Sequence, residues 1–197
     1  MKQQSKLCPG TTWEYIASPE EVGWSSQQLH IAQICAEVLG SAAVLVITGG
    51  KILVEWGDTT RRFSCHSMRK SLLSSLFGMA LRDGRMHTEQ TLEELGIDDN
   101  EPSLTLQEKR ATIVDLLKAR SGIYHPAGCQ PNSNLPERGS HEPGTFWHYN
   151  NWDFNTLGTI FEQCTQTSLF AAFHQQIAIP LQMEDFVLTD IFYKGGG

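Results

Sequence analysis

Ser67-Met68-Arg69-Lys70 sets a hydroxyl and a primary amine three residues apart at the head of an apolar run, residues 67–82. On a helix, side chains at i and i+3 share a face. The amine could then take the proton of the hydroxyl and turn the serine into a nucleophile, given burial or neighbouring cations that lower the lysine pKa towards neutrality. The positive end of the helix dipole would lie beside both groups. The same residues also suit an ordinary helix start, with an N-cap serine and an exposed lysine. With 15 serines and 7 lysines in 197 residues, chance alone supplies about 0.5 such pairs. Spacing by itself does not choose between the two.

Other residues that could do chemistry are weaker candidates. Trp147 and Tyr149, in the stretch EPGTFWHYNN at 142–151, read by themselves as packing aromatics. His125, Cys129, His141 and His148 gather in one long stretch, but their spacing matches no metal pattern. Asp98-Asp99-Asn100-Glu101 reads as a solvated acidic turn, lacking the glycine and later ligands of a calcium loop. Cys65 reads as a buried thiol rather than a second nucleophile. No Gly-x-Ser-x-Gly elbow, His-Glu-x-x-His or phosphate loop occurs.

The elements that would position Ser67 and Lys70 are legible from periodicity. Residues 1–24, with Pro9, Gly10 and Pro19, read as an extended lead-in. Ser25 or Ser26 caps a helix with an apolar stripe of Leu29, Ala32, Cys35, Ala36 and Leu39, stopped by Gly40. AVLVIT and KILVEW flank Gly49-Gly50 and predict a β-hairpin, its first strand apolar enough for a sheet covered on both faces. Leu72, Leu73, Leu76, Phe77, Ala80 and Leu81 recur at helical spacing within 67–82, and Gly84 ends the run. Thr88 to Leu95 predicts a short capped helix closed by Gly96. Thr112 caps IVDLLKAR, which stops at Ser121-Gly122. Residues 125–148 form a loop long enough to wall a site. Helices follow at about 152–165 and 168–178. A lone hairpin is marginal without further strands beside it, and none is evident downstream.

Composition bounds the partners. The formal charge is −7 with acidic residues dispersed, which argues against nucleic acid. Five cysteines (8, 35, 65, 129 and 164) form no paired framework and read as reduced thiols. The N-terminal stretch has no signal-peptide core and no run of about 18 apolar residues occurs. The expected setting is cytoplasmic, with no membrane partner.

Taken in order, SMRKS, ALRDGRM, TIVDLLKARSG (112–122), EPGTFWHYNN and IPLQMEDF (179–186) resemble the serine β-lactamase and penicillin-binding protein family. The likeness is to its class C, D-alanyl-D-alanine peptidase and esterase branch, and it runs from about residue 22 to 190. It implies an α+β fold of the α/β sandwich type, an antiparallel sheet flanked by helices plus a helical region. It also implies catalytic roles for Ser67 as acyl-accepting nucleophile, Lys70 as its partner and Tyr149 as proton carrier. Asn151 would support Lys70 and bind the substrate amide. No metal or organic cofactor is implied. The activity implied is hydrolysis of a small-molecule ester or amide through an acyl-enzyme on Ser67. A cytosolic esterase or small-amide hydrolase is the first reading; β-lactamase or D,D-peptidase activity, or a non-catalytic binding relative, are the alternatives.

The chain departs from the family pattern in three places. Nothing after Asn151 fits the third motif, Lys- or His-(Ser/Thr)-Gly; Lys194-Gly195-Gly196 lacks the hydroxyl. Arg120 stands before Ser121-Gly122 where His-Thr is common, and Gln182 stands where glycine is usual. The expectation is a single domain over 1–197 that is present only in part. It would comprise a helix and first hairpin at 25–56 and a mainly helical portion at 66–190.

Overall fold

The computed structural model describes residues 10, 12–128 and 135–192. Cys8, Cys129 and Lys194-Gly195-Gly196 lie outside the described residues. The chain divides into two compact units, one up to Ser64 and the other from Cys65 onward.

The first unit carries the helix and hairpin. Ser25 accepts a hydrogen bond from the Gln28 N–H at 3.3 Å and caps α1 (Ser26–Val38). β1 (Ala43–Thr48) and β2 (Lys51–Gly57) pair antiparallel, with a bulge between Val46 and Ile47. Gly49 and Gly50 sit at φ +59° and +81°, the two consecutive left-handed residues that a tight hairpin turn requires. Three expectations change here. The lead-in is not simply extended: Pro19–Val22 is a 3-10 turn, and Tyr15 forms a parallel bridge with Ile52 on β2. The α1 stripe buries nothing completely, and Leu39 is 82% exposed. β1 is not covered on both faces, since Leu45 and Ile47 are exposed. The reason is one of scale. Among the described residues of this unit only Ile52 and Leu53 are buried hydrophobics, too few for a core that could cover a helix and two strands.

The second unit holds the core and all four candidate site residues. Its helices are α2 (Arg69–Arg82), α3 (Ile113–Leu117), α4 (Asn151–Thr165) and α5 (Leu169–Phe173). α2 buries Leu73, Leu76, Phe77 and Ala80, whereas Leu72 faces outward. Phe77 meets Phe161 of α4 with ring centroids 5.9 Å apart. Around this contact Leu92, Ile113, Leu116, Ile123, Leu157 and Ile160 are fully enclosed. Each such side chain contributes about 1.5–3 kcal/mol by leaving water. α3 starts with a capping box between Thr112 and Asp115. α5 runs into a wider π-type turn at His174–Ala178, so the predicted 168–178 helix changes pitch midway.

Residues 88–95 do not form the predicted helix. Leu92 and Glu93 donate their N–H groups to the carbonyls of Ala111 and Lys109, and Ile113 and Val114 donate to Gln90 and Thr88. Backbone groups spent on that cross-pairing cannot also serve a helix. A single turn remains, capped by Thr91 through the Glu94 N–H and closed at Gly96. Cys65 is exposed rather than buried, and with Cys35 and Cys164 it is a free thiol. No helix among the described residues is long and apolar enough to cross a membrane. The chain thus combines helices with a small two-stranded antiparallel sheet, a mixed α and β architecture.

Gln182 occupies a left-handed conformation, φ +52°. A residue with a Cβ pays about 1–2 kcal/mol there. Gln182→Gly is therefore expected to stabilise the fold by about 0.5–1 kcal/mol after the added chain entropy of glycine. Urea unfolding of the two proteins checks this, and a destabilised variant would contradict it.

Candidate active site

Ser67 lies in a 3-10 turn, His66–Met68, that leads directly into α2. Its own N–H belongs to the first turn, where backbone donors have no carbonyl one turn earlier. The preceding residue, His66, is held at φ +41°, an unfavourable conformation for a side-chain-bearing residue and one that tends to collect at functional sites. The 3-10 turn preserves the predicted adjacency. Lys70 Nζ donates to Ser67 Oγ at 3.3 Å.

Tyr149 and Asn151 come from the segment that leads into α4 and from its first residue, 82 and 81 positions along the chain from Ser67 and Lys70. The Tyr149 hydroxyl lies 2.8 Å from Ser67 Oγ, and Lys70 Nζ donates to Asn151 Oδ1 at 3.0 Å. The ammonium also sits 4.9 Å from the ring centroids of Tyr149 and Phe154, where aromatic faces attract a cation. Arg69 reaches Asn155 on α4 at 3.4 Å. The four residues singled out in the sequence are thus in one place, within a single compact unit. Ser67 is exposed and Tyr149 is 41% exposed, so the pair is open to a small molecule.

The electrostatics favour a reactive phenol. Partial burial alone would raise the Tyr149 pKa. Hydrogen bonds to Lys70 and Ser67, with the positive charges of Lys70 and Arg69, outweigh it and bring the phenol below its usual value. A phenolate so favoured and 2.8 Å from a serine hydroxyl is a suitable proton acceptor.

Several residues that hold this arrangement were not legible as functional. Asn150, between Tyr149 and Asn151, is 1% exposed. Its Oδ1 accepts the Trp152 N–H and caps α4, while its Nδ2 donates to the Ile123 carbonyl. That bond ties the Tyr149 segment to the strand of chain following Ser121-Gly122. Gly122, at φ +71°, packs so closely that a Cβ would come 2.6 Å from the His141 carbonyl oxygen. The acidic turn is more than solvated surface. Asp99 Oδ2 accepts from Trp152 Nε1 at 2.7 Å and lies 2.7 Å from His125 Nδ1. Glu108 receives a forked pair of bonds from Arg138, at 2.9 and 2.7 Å. His125 is thereby fastened through Asp99 to Trp152 in the first turn of α4, and Arg138 to Glu108. His141 stacks on Phe146 and bonds the Tyr124 hydroxyl, and His148 meets the Tyr124 ring edge-on. No cluster able to hold a metal ion occurs among the described residues. A sequence signal for this framework existed only in the polar residues themselves; their partners lie 26 to 53 positions away.

The model of the family described as Beta-lactamase matches residues 30–190. No curated protein matches the chain significantly.

Proposed function

Since the chain belongs to the Beta-lactamase family, we propose that it is a serine hydrolase that cleaves a small-molecule ester or amide through an acyl-enzyme on Ser67. One observation carries the reading: Ser67 Oγ is in hydrogen-bond reach of both the Tyr149 hydroxyl and the Lys70 ammonium. In the first half-reaction Ser67 Oγ attacks the carbonyl carbon and passes its proton to the Tyr149 phenolate. The Lys70 ammonium stabilises that phenolate and steadies the negative charge that builds up on the reacting oxygens. As the tetrahedral adduct collapses, the bond from the carbonyl carbon to the alcohol or amine breaks and Tyr149 returns the proton to that leaving group, leaving the acyl-enzyme. In the second half-reaction water gives a proton to Tyr149, attacks the acyl carbonyl and releases the acid, and Ser67 regains its hydrogen. The Ser67 N–H serves as one donor to the developing oxyanion. Asn151 holds Lys70 and meets a substrate amide.

Within that class, a cytosolic esterase or small-amide hydrolase is the preferred reading over a β-lactamase or D,D-peptidase. The free thiols at Cys35, Cys65 and Cys164 support a reducing cytoplasmic setting. No nucleic-acid partner is proposed for a chain of net charge −7. Hydrolysis of short activated esters, β-lactams and D-alanyl-D-alanine peptides by the wild type and by Ser67→Ala tests the reading. Ester or amide turnover that disappears in Ser67→Ala is expected; turnover that survives in Ser67→Ala would overturn it.

A further inference from the structure

Asp153 is 1% exposed and two residues beyond Asn151 on α4. Its Oδ1 accepts the Ser121 hydroxyl at 2.6 Å, and Ser121 Oγ in turn accepts the Ile123 N–H at 3.0 Å. Oδ2 is buried with no hydrogen-bond partner among the described residues. No ion pair to Asp153 is formed among the described residues, and no positive charge contributes to its electrostatics. On α2, Arg69 is committed to Asn155 and Lys70 to Ser67 and Asn151. The titratable groups that do face Asp153 are Asp115 on α3 and Tyr124 on the segment after Ser121. Neither can compensate a buried negative charge. An ionised carboxylate without a partner in such a place is strongly disfavoured.

The segment that Asp153 holds through Ser121 also holds Tyr149. The Ala119 carbonyl accepts the His148 N–H at 2.9 Å, and the Arg120 carbonyl accepts the Gly144 N–H at 2.8 Å. The Ile123 carbonyl accepts the Asn150 side chain. Residues 119–123 are thus bonded to the chain on both sides of Tyr149, and the Ser121–Asp153 bond ties them to the helix that begins with Asn151.

We propose that Asp153 is a positioning residue that sets Tyr149 and Asn151 against Ser67, and that it does so as a neutral carboxylic acid. The inference rests on the hydrolase reading for its kinetic consequence, but not for the state of the carboxyl. Burial pushes the Asp153 carboxyl up to about 8 and Asp115 adds to the rise, against the lowering effect of the Ser121 bonds. Above that pH the carboxyl ionises, and although the Ser121 bonds favour the charged form, a buried anion without a compensating cation forces the site to open to water or rearrange. Loss of the proton therefore acts as an alkaline limit on the site, while Tyr149 ionisation sets the acid limb.

The test uses the full chain and four proteins: wild type, Asp153→Asn, Asp153→Ala and Ser121→Ala. Covalent capture of Ser67 by a fluorophosphonate is followed from pH 6 to 10, alongside the infrared carboxylic-acid band and the ring resonances of Tyr149. In the wild type the capture rate should rise and then fall above about pH 8. Asp153→Ala and Ser121→Ala should lose about tenfold or more, and Asp153→Asn should rescue the rate and abolish the alkaline fall. A neutral amide that performs as badly as alanine, or that keeps the alkaline limb, would overturn the proposal. If Ser67 takes no label even in the wild type, the hydrolase reading fails and spectroscopy decides the inference alone. An acid band at pH 7 that is absent from Asp153→Asn and fades near pH 8 together with a shift of the Tyr149 ring signals supports it. No band, or ring signals indifferent to its loss, overturns it.

Discussion

Lys70→Ala is expected to lower the acylation rate of Ser67 by about 10²–10⁴-fold, the range spanned by positioned proton-transfer groups. Lys70 does two things at once that alanine cannot. It donates to Ser67 Oγ and Asn151 Oδ1, and it stabilises the negative form of Tyr149. Removing the ammonium leaves the burial of Tyr149 unopposed by its strongest favourable partner, so the phenol pKa climbs back. The direction of the pH effect follows. If the phenolate is the base, the rate rises with pH up to the phenol pKa, and in Lys70→Ala that rise is displaced to higher pH. The folded state should change little, because the substitution removes a half-buried charge without opening the enclosed core of Leu76, Phe77 and Phe161. Acylation kinetics across pH, with urea unfolding as control, check both statements. A rate within a few fold of wild type, or an unmoved acid limb, would return Lys70 to the role of a surface helix residue.

Tyr149→Phe is expected to cost a similar factor, about 10²–10⁴ in kcat, by a different route. Only the hydroxyl is lost. The ring keeps its contact with Phe154, centroids 5.9 Å apart, and its place under the Lys70 ammonium. Stability is therefore expected to stay within about 0.5 kcal/mol, the usual range for an exposed site away from special features. If Lys70 and Tyr149 act on one proton, as proposed, their losses should not add. The double variant should be little slower than the worse single one. Full additivity would mean that the two residues act in separate steps, and an unchanged kcat in Tyr149→Phe would mean that its hydroxyl only packs against Ser67.

The parts legible in the sequence were those whose causes are local. Gly49-Gly50 dictates a hairpin because few residues other than glycine accept two consecutive left-handed conformations, and the i,i+3 spacing of Ser67 and Lys70 survives even though the turn that carries Ser67 is 3-10. The four site residues came from an ordered set of family motifs, which encodes a geometry that spacing alone does not. What stayed hidden depends on partners far along the chain. The segment at 88–95 has helical periodicity, but its backbone pairs with 109–114. Asp99 looks like a surface acid until Trp152 and His125 are brought to it. Asp153, in the first turn of α4, is enclosed only because Ser121, 32 positions away, is brought onto it. Each case is a tertiary contact overriding a local preference.

Whether Ser67 is an activated nucleophile is decided by mass mapping after treatment of the full chain with a fluorophosphonate at neutral pH. One adduct is expected, on the peptide that carries Ser67, absent from Ser67→Ala and strongly slowed in Lys70→Ala and Tyr149→Phe. An adduct formed equally well by Ser67→Ala, or found on another serine or on the exposed Cys65, would contradict it.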